Sequence, residues 1–376
     1  MPRAAGVCWC DRRKVIPQGV KNLRNSARGL AKFAAMRKRL LFAFCAVVLL
    51  RTPDQLYAQF TDPHNYDNSP VGINQLELDY YHAHSDASID TSLIVAGATF
   101  NLNQGIIDYT HYFGFIHRLA WVEATLPLAG LSGSSSNTNI SGSITGTGDS
   151  SYLVAALLKG GPALSVAQFQ NYKPITTVGL SLMITAPTGQ YNSNKVLNLG
   201  SNRWSFKPEL AVSHPFGSER KWEFDAYANA YFYTGNMSYQ GTKILRQQPL
   251  PGIEGHITYS FTDKLWASLD TRYSFHGNTF VSGANENNAQ QNFILGTEVN
   301  ISINHKNSFV FEFAKPVVHQ NGPSYTGFAV RYFYSWGNGY RNDRKKRSAS
   351  SSFSCNIHAA EVSSRIKTSS DFTSIY

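Results

Sequence analysis

From Arg203 to Val212 apolar residues (Trp204, Phe206, Pro208, Leu210, Val212) alternate with polar ones (Arg203, Ser205, Lys207, Glu209). The same pattern sets Trp222, Phe224, Ala226, Ala228, Ala230 and Phe232 against Glu223, Asp225, Asn229 and three tyrosines. It returns with Leu265, Ala267, Leu269, Tyr273 and Phe275 against Ser268, Asp270, Arg272 and Ser274. Two later segments repeat it: Phe293, Leu295, Val299 and Ile301 around Glu298, Asn300 and Ser302, then Phe328, Val330, Tyr332, Tyr334 and Trp336 around Arg331 and Ser335. A period of two over about ten residues predicts strands with one apolar and one polar face. Between residues 59 and 340 no apolar run approaches the ~20 residues that a membrane-spanning helix needs.

The composition of the two faces narrows the fold. A soluble sandwich turns its polar face to bulk water. Here that face carries Glu77, Asp79, Glu123, Glu209, Glu223, Asp225, Glu254, Asp270, Glu298 and Glu312 together with Arg203, Lys207, Arg272 and Arg331. Opposed charges on many neighbouring strands suit an enclosed, hydrated lumen. An apolar face with Phe, Tyr and Trp near strand ends suits a lipid-facing band with aromatic girdles. Connector lengths test this independently, because membrane barrels alternate short periplasmic turns with longer external loops. Short links at 114–118, 214–220, 262–263 and 304–307 exchange in register with long ones at 130–148, 187–202, 234–252, 276–290 and 317–324. Only 160–173 is longer than a turn where a turn is due. The prediction is an all-β, transmembrane, antiparallel up-and-down barrel of about 12 strands (12 to 14), with 93–100 readable as loop or as part of a further hairpin.

Charge and cysteine divide the chain the same way. The formal net charge is +10, which invites a nucleic-acid reading. However, residues 1–58 carry 12 basic and 2 acidic side chains, 59–340 carry 15 and 19, and 341–376 carry 7 and 3. The central domain is therefore acidic, and no nucleic-acid partner is expected. Cys8, Cys10, Cys45 and Cys355 all lie outside it, which excludes a disulfide framework or a cysteine-ligated metal there. After Met36, the run Arg37-Lys38-Arg39, the apolar stretch Leu40–Leu50 and the small residue Ala58 read as a secretory signal peptide over 36–58, with the mature chain starting near Gln59. Residues 1–35 read as an upstream extension, 59–340 as the barrel, and 341–376 as a basic, serine-rich disordered tail.

Residues 179–210, GLSLMITAPTGQYNSNKVLNLGSNRWSFKPEL, are followed by WEFDAYANAYFYTGN at 222–236. Together they resemble the outer-membrane family known as putative MetA-pathway of phenol degradation. The motif residues are Pro187, Gly189, Tyr191, Asn198, Gly200, Asn202, Arg203, Pro208 and Glu209; Gly148-Asp149, Gly160 to Pro162 and Gly235-Asn236 also match. The resemblance implies a barrel in the outer membrane of a Gram-negative bacterium, with uptake of small, often aromatic compounds. It carries over no catalytic residue. Family members end near their last strand, whereas 36 residues follow Tyr340 here.

Candidate chemistry is sparse. His82-x-His84 places two imidazoles on one strand face, a possible metal pair, but a solvated strand end accounts for it more simply. His276 has no serine placed beside it in the sequence manner of an outer-membrane phospholipase. The loops Ser132–Ser143 and Ala284–Asn288 read as mobile external surface. No catalytic, cofactor or metal site is assigned, and the chain is not read as an enzyme. Its expected partners are the bilayer and a small solute; oligomeric state is open. The residues expected to select solutes in the lumen are Arg203, Lys207, Glu209, Glu223, Asp225, Glu254, Asp270, Arg272, Glu298 and Arg331. The leading function is a passive outer-membrane channel. The alternatives are a non-conducting structural barrel braced by the same charges, and an outer-membrane hydrolase.

Overall fold

The computed structural model describes residues 61–85, 98–135, 140–321 and 325–337. The expected signal peptide, upstream extension and tail lie outside these residues. The strands are β1 (Ile73–Ser85), β2 (Ala98–Phe115), β3 (Arg118–Ser135), β4 (Ile140–Thr147), β5 (Ser151–Lys159), β6 (Thr177–Thr185), β7 (Ser205–Phe216), β8 (Trp222–Tyr233), β9 (Asn236–Tyr239), β10 (Lys243–Gln247), β11 (Leu250–Thr262), β12 (Leu265–His276), β13 (Thr279–Val281), β14 (Ala284–Asn285), β15 (Gln290–Asn304), β16 (Asn307–Gln320) and β17 (Tyr325–Gly337). One short helix, α1 (Val166–Phe169), occupies the link between β5 and β6.

Twelve of these strands form the wall in the order β1-β2-β3-β5-β6-β7-β8-β11-β12-β15-β16-β17, each antiparallel to the next. Pairing of β1 with β17, from Ile73 opposite Gly337 to Ser85 opposite Tyr325, closes the barrel. Closure leaves no sheet edge, which lipid demands because it offers unpaired backbone groups no partner. The alternation seen in sequence becomes inside and outside. Leu210, Phe224, Ile253 and Leu269 stand exposed on the outer surface, while Glu209, Asp225, Glu254 and Asp270 are buried within. Phe216, Trp222 and Tyr259 stack at the short-turn end, with the Trp222 and Tyr259 rings 4.7 Å apart. They form the girdle at the end that is periplasmic in such barrels.

Two long connectors differ from expectation. The Ser/Gly/Thr stretch after Leu131 continues β3 as far as Ser135 and returns as β4, paired from Leu128–Thr147 to Ser135–Ile140. Its described residues are paired strands where a loop was expected: backbone pairing needs no side-chain signature, so a low-complexity run conceals it. Likewise β9, β10, β13 and β14 pair into a small separate sheet that takes in Ala284–Asn285. The ambiguous stretch 93–100 resolves in its last three residues as the start of β2; 93–97 fall outside the described residues.

Residues 61–72 precede β1 and run along the inside of the barrel. Val71 donates its N–H to the Leu164 carbonyl (2.9 Å) and Gly72 to that of Tyr112 (2.8 Å), which fixes the segment near the periplasmic turns. From there it climbs to mid-wall. The Tyr66 ring lies against Trp121 and Tyr227 (centroids 5.5 and 5.3 Å), in a cluster with Leu119, Ala155, Leu157 and Ala211. It rests on Gly179: a Cβ there would come within 2.2 Å of the ring, so only glycine fits beneath it.

Candidate functional site

The lumen is the candidate site, and its wall is built row by row. Cross-strand register places Glu254 opposite Arg272, and His256 opposite both Asp225 and Asp270. Arg272 Nη1 lies 3.2 Å from Glu254 Oε1, and His256 Nδ1 2.8 Å from Asp270 Oδ1. On β7, Lys207 Nζ lies 2.9 Å from Glu209 Oε2. Glu298 and Glu312 stand directly opposite each other, a like-charge pair that would be unfavourable alone. Arg331 relieves it, with Nη2 at 2.8 Å from Glu298 Oε2 and 3.7 Å from Glu312 Oε2. Glu77 lies 3.7 Å from Nη1 of the same guanidinium.

Residues 61–72 thread through this network. The Thr61 N–H donates to Glu254 Oε2 (2.7 Å) and its hydroxyl to Glu209 Oε2 (2.9 Å), while Lys207 Nζ donates back to that hydroxyl (2.8 Å). Asp62 pairs with Arg331, and Tyr227 donates its hydroxyl to the Asp62 carbonyl (3.1 Å). The Tyr66 hydroxyl lies 2.9 Å from Glu209 Oε1 and 2.7 Å from Ser181 Oγ. Lower down, His64 Nδ1 lies 2.7 Å from Glu223 Oε1 and 3.1 Å from Asp67 Oδ2. Burial opposes charge on this imidazole, but the two carboxylates outweigh it and hold the His64 pKa above its ordinary value.

The structure thus places Lys207, Glu209, Glu223, Asp225, Glu254, Asp270, Arg272, Glu298 and Arg331 on the inner wall, and draws most of them into contact with the segment. Arg203 lies just before β7, at the long-loop end. Its Nη2 donates to Gln247 Oε1 (2.7 Å) and its guanidinium sits 4.4 Å above the Tyr233 ring. Carboxylates outnumber cations on the wall, because Glu77, Asp79, Asp108 and Glu123 face inward without an added inward-facing Lys or Arg on β1, β2 or β3. A cavity of about 420 Å³ opens near the short-turn end, lined among others by Gln75, Trp266, Asn300, Phe333 and Ser335. Trp266 also meets the His64 ring edge-on at 5.0 Å, so the cavity adjoins the segment. The segment itself escaped sequence reasoning. Thr61-Asp62-Pro63-His64-Asn65-Tyr66 has no period for a local reading to follow.

The motif residues build a knot above the lumen. Both oxygens of Asp149 are used, one by the Gly189 N–H (2.8 Å) and one by the Ser201 N–H and hydroxyl (2.8 and 2.6 Å). Gly189 and Gly200 touch, and a Cβ on either would fall within 3 Å of the other's backbone. Asn202, at φ +53°, donates its amide to Asn236 and Ser238, while Asn236 donates to the Tyr191 hydroxyl. Asn198 accepts the Asn192 N–H (2.6 Å). Pro187 lies in the same connector, between β6 and β7. Pro208 faces outward, so of the motif only Arg203 and Glu209 lie on the solute side. His82 and His84 also face outward; their Nδ1 atoms meet Asn103 and Asn101 (2.7 and 2.9 Å), away from the lumen. His276 ends β12, its ring against Phe275.

The COG4313 outer membrane channel from Pseudomonas putida F1 is similar in fold at 22% identity, over 74% of this chain and 100% of that one, with a TM-score of 0.63. The beta domain of the Bordetella autotransporter BrkA is a more distant likeness, at 8% identity over 71% of this chain and 99% of that one, TM-score 0.42. No curated protein matches the sequence. The family described as "Putative MetA-pathway of phenol degradation" matches residues 84–332, well over half of the chain and nearly the whole barrel wall. The chain belongs to that family.

Proposed function

We propose that this barrel is a passive outer-membrane channel for small solutes, aromatic ones included, that disfavours anions and whose bore is set by residues 61–72. The observation that carries this reading is the acid-rich inner wall. Carboxylates on nearly every strand from β7 round to β3 exceed the cations they meet, and a narrow path with low-dielectric walls magnifies the resulting field. The Pseudomonas protein of similar fold bears the description of an outer membrane channel, which agrees with conduction. Rings along the inner wall suit aromatic solutes: Tyr231, Tyr233, Trp266 and Phe333 all face inward. The cavity beside Trp266 exceeds by far the roughly 150 Å³ that accommodates benzene in an apolar pocket.

One observation favours a second reading, a braced and non-conducting barrel: the segment and the ion pairs share the middle of the lumen. Planar-bilayer recording decides between the two. The channel reading expects discrete unitary currents and, in a salt gradient, a reversal potential on the cation side. An absence of currents, both from the native protein and from a variant whose segment has been released, would establish the braced barrel instead.

A further inference from the structure

His64, Asp67 and Glu223 converge from two separate stretches of chain, and of the three only Glu223 is among the residues expected to select solutes. We propose that these three side chains form a binding site for a divalent transition-metal ion of the zinc class, which fastens the inner segment to β8. The proposal rests on where the segment lies and not on conduction.

The ligand atoms of the three residues all lie within 4.8 Å of one another. Zinc bonds of about 2.0–2.2 Å to nitrogen and oxygen put neighbouring ligand atoms roughly 3 to 3.5 Å apart. The observed separations of 3.1 and 2.7 Å from His64 Nδ1 need only a slight opening to admit an ion. One imidazole with two carboxylates suits zinc and its neighbours, whereas an all-oxygen set would suit calcium or magnesium. The site is also largely assembled. Asp67 donates its N–H to the His64 carbonyl at 3.0 Å, a turn that brings both side chains to one side, and Glu223 presents its carboxylate from a rigid strand.

Charge gives a second, independent argument. Glu223 is 6% exposed and Asp225, two residues along the same inner face, is fully buried. One oxygen of Asp225 accepts the His64 N–H at 3.3 Å, while the other makes no hydrogen bond of ordinary geometry. Three carboxylates thus crowd around one imidazole. An imidazolium offsets one of those charges; a divalent ion offsets two. His64 Nε2 is buried without a hydrogen-bond partner, so the ring's orientation is set from the Nδ1 side, where the ion would bind. Trp266, which lines the cavity at the short-turn end, meets the His64 ring.

The test uses tag-free protein extracted from outer membranes, so that no engineered histidines compete. Titration calorimetry with zinc chloride should show one ion per chain, and metal analysis after gel filtration should recover it. Cobalt substitution should give visible d–d absorption of a nitrogen- and oxygen-ligated ion. His64→Gln and Glu223→Gln should each weaken zinc binding about tenfold or more, while His82→Gln, on the outer face, leaves it unchanged. Native protein that binds no zinc would overturn the proposal and leave a protonated imidazole between the acids. Equal zinc affinity in the native protein and both lumenal variants would overturn it too, by placing the ion elsewhere. Should either variant fail to assemble, the cobalt spectrum of the native protein still decides.

Discussion

Two sides of the lumen hold residues 61–72, and they do so by different physics. On the side of β3, β5 and β6 the contact is shape: the Tyr66 ring fills a hollow of Trp121, Leu157, Ala155 and Gly179. On the side of β11, β15 and β17 the contact is charge: Thr61 against Glu254, and Asp62 against Arg331, which also carries Glu298 and Glu312. Burying an aromatic ring is worth roughly 1.5–3 kcal/mol, and edge-on ring contacts add about 0.5–1.5 more, independent of salt. Ion pairs taken out of water gain little net energy, yet losing one partner is costly because the other charge stays behind. The comparison separates two roles. The apolar side anchors the segment, and in the proposed channel the ionic side sets the field that a solute meets.

Breaking the anchor should have the largest effect. Tyr66→Ala removes a buried ring, a change that costs about 3–5 kcal/mol for comparable aromatics. The expected outcome is a segment released from the wall and a unitary conductance several times the native value, with a lower melting temperature. Gly179→Leu should reproduce it by filling the hollow from the other side. Unchanged currents in both would mean that the segment does not set the bore.

On the ionic side the largest single change is Arg331→Gln. It strands Glu298, Glu312, Glu77 and Asp62 together, and breaking such a pair costs at least about 3 kcal/mol where water cannot reach. The melting temperature in detergent should fall, and ion selectivity should move further toward cations. A fall in stability with no change in selectivity would make the ionic side a brace alone.

The same side has an outer surface, and the contrast across it sharpens the comparison. Leu269→Arg puts a charge toward lipid from a position 57% exposed on the outside, at about 2–4 kcal/mol near the midplane. Its neighbour Asp270 faces inward onto His256. Heat-modifiable migration on gels should show Leu269→Arg poorly inserted and Asp270→Asn folded. Equal damage from both would mean that the assignment of inward and outward faces is wrong.

Much of this is legible in the sequence, and the boundary of legibility has a physical cause. Leu269 and Asp270 could be assigned to opposite faces because a strand's period of two is local. Connector lengths gave the alternation of ends for the same reason. Tyr66 could not be placed, since its hollow comes from Trp121, Gly179 and Tyr227, which no local pattern links to it. The partners of Arg331 are equally hidden: its inward face is readable, but Glu77 on β1 meets it only through barrel closure and Asp62 only through docking of the segment, while Glu298 and Glu312 arrive along the β15-β16-β17 meander. Gly189 and Gly200 stood out as a family mark, and their role in the Asp149 knot follows from a contact between two connectors that sequence spacing does not reveal.

The smallest expected effect concerns the remaining cations. Arg272 answers Glu254 at 3.2 Å, and Arg203 stands over Tyr233 at the long-loop end of the path. Replacing both by Gln keeps hydrogen-bonding capacity and removes two positive charges from a wall that is already acid-rich. Reversal potentials in a salt gradient should shift toward the cation limit by a modest step, because the native field already favours cations. The step should shrink at high ionic strength, where the screening length falls to about 3 Å at 1 M salt. A shift that survives 1 M salt unchanged would point to an altered bore in place of an altered field. A lower melting temperature with no shift at all would assign Arg272 and Arg203 to bracing the wall, and would leave the choice of solute to the apolar side and the rings that line it.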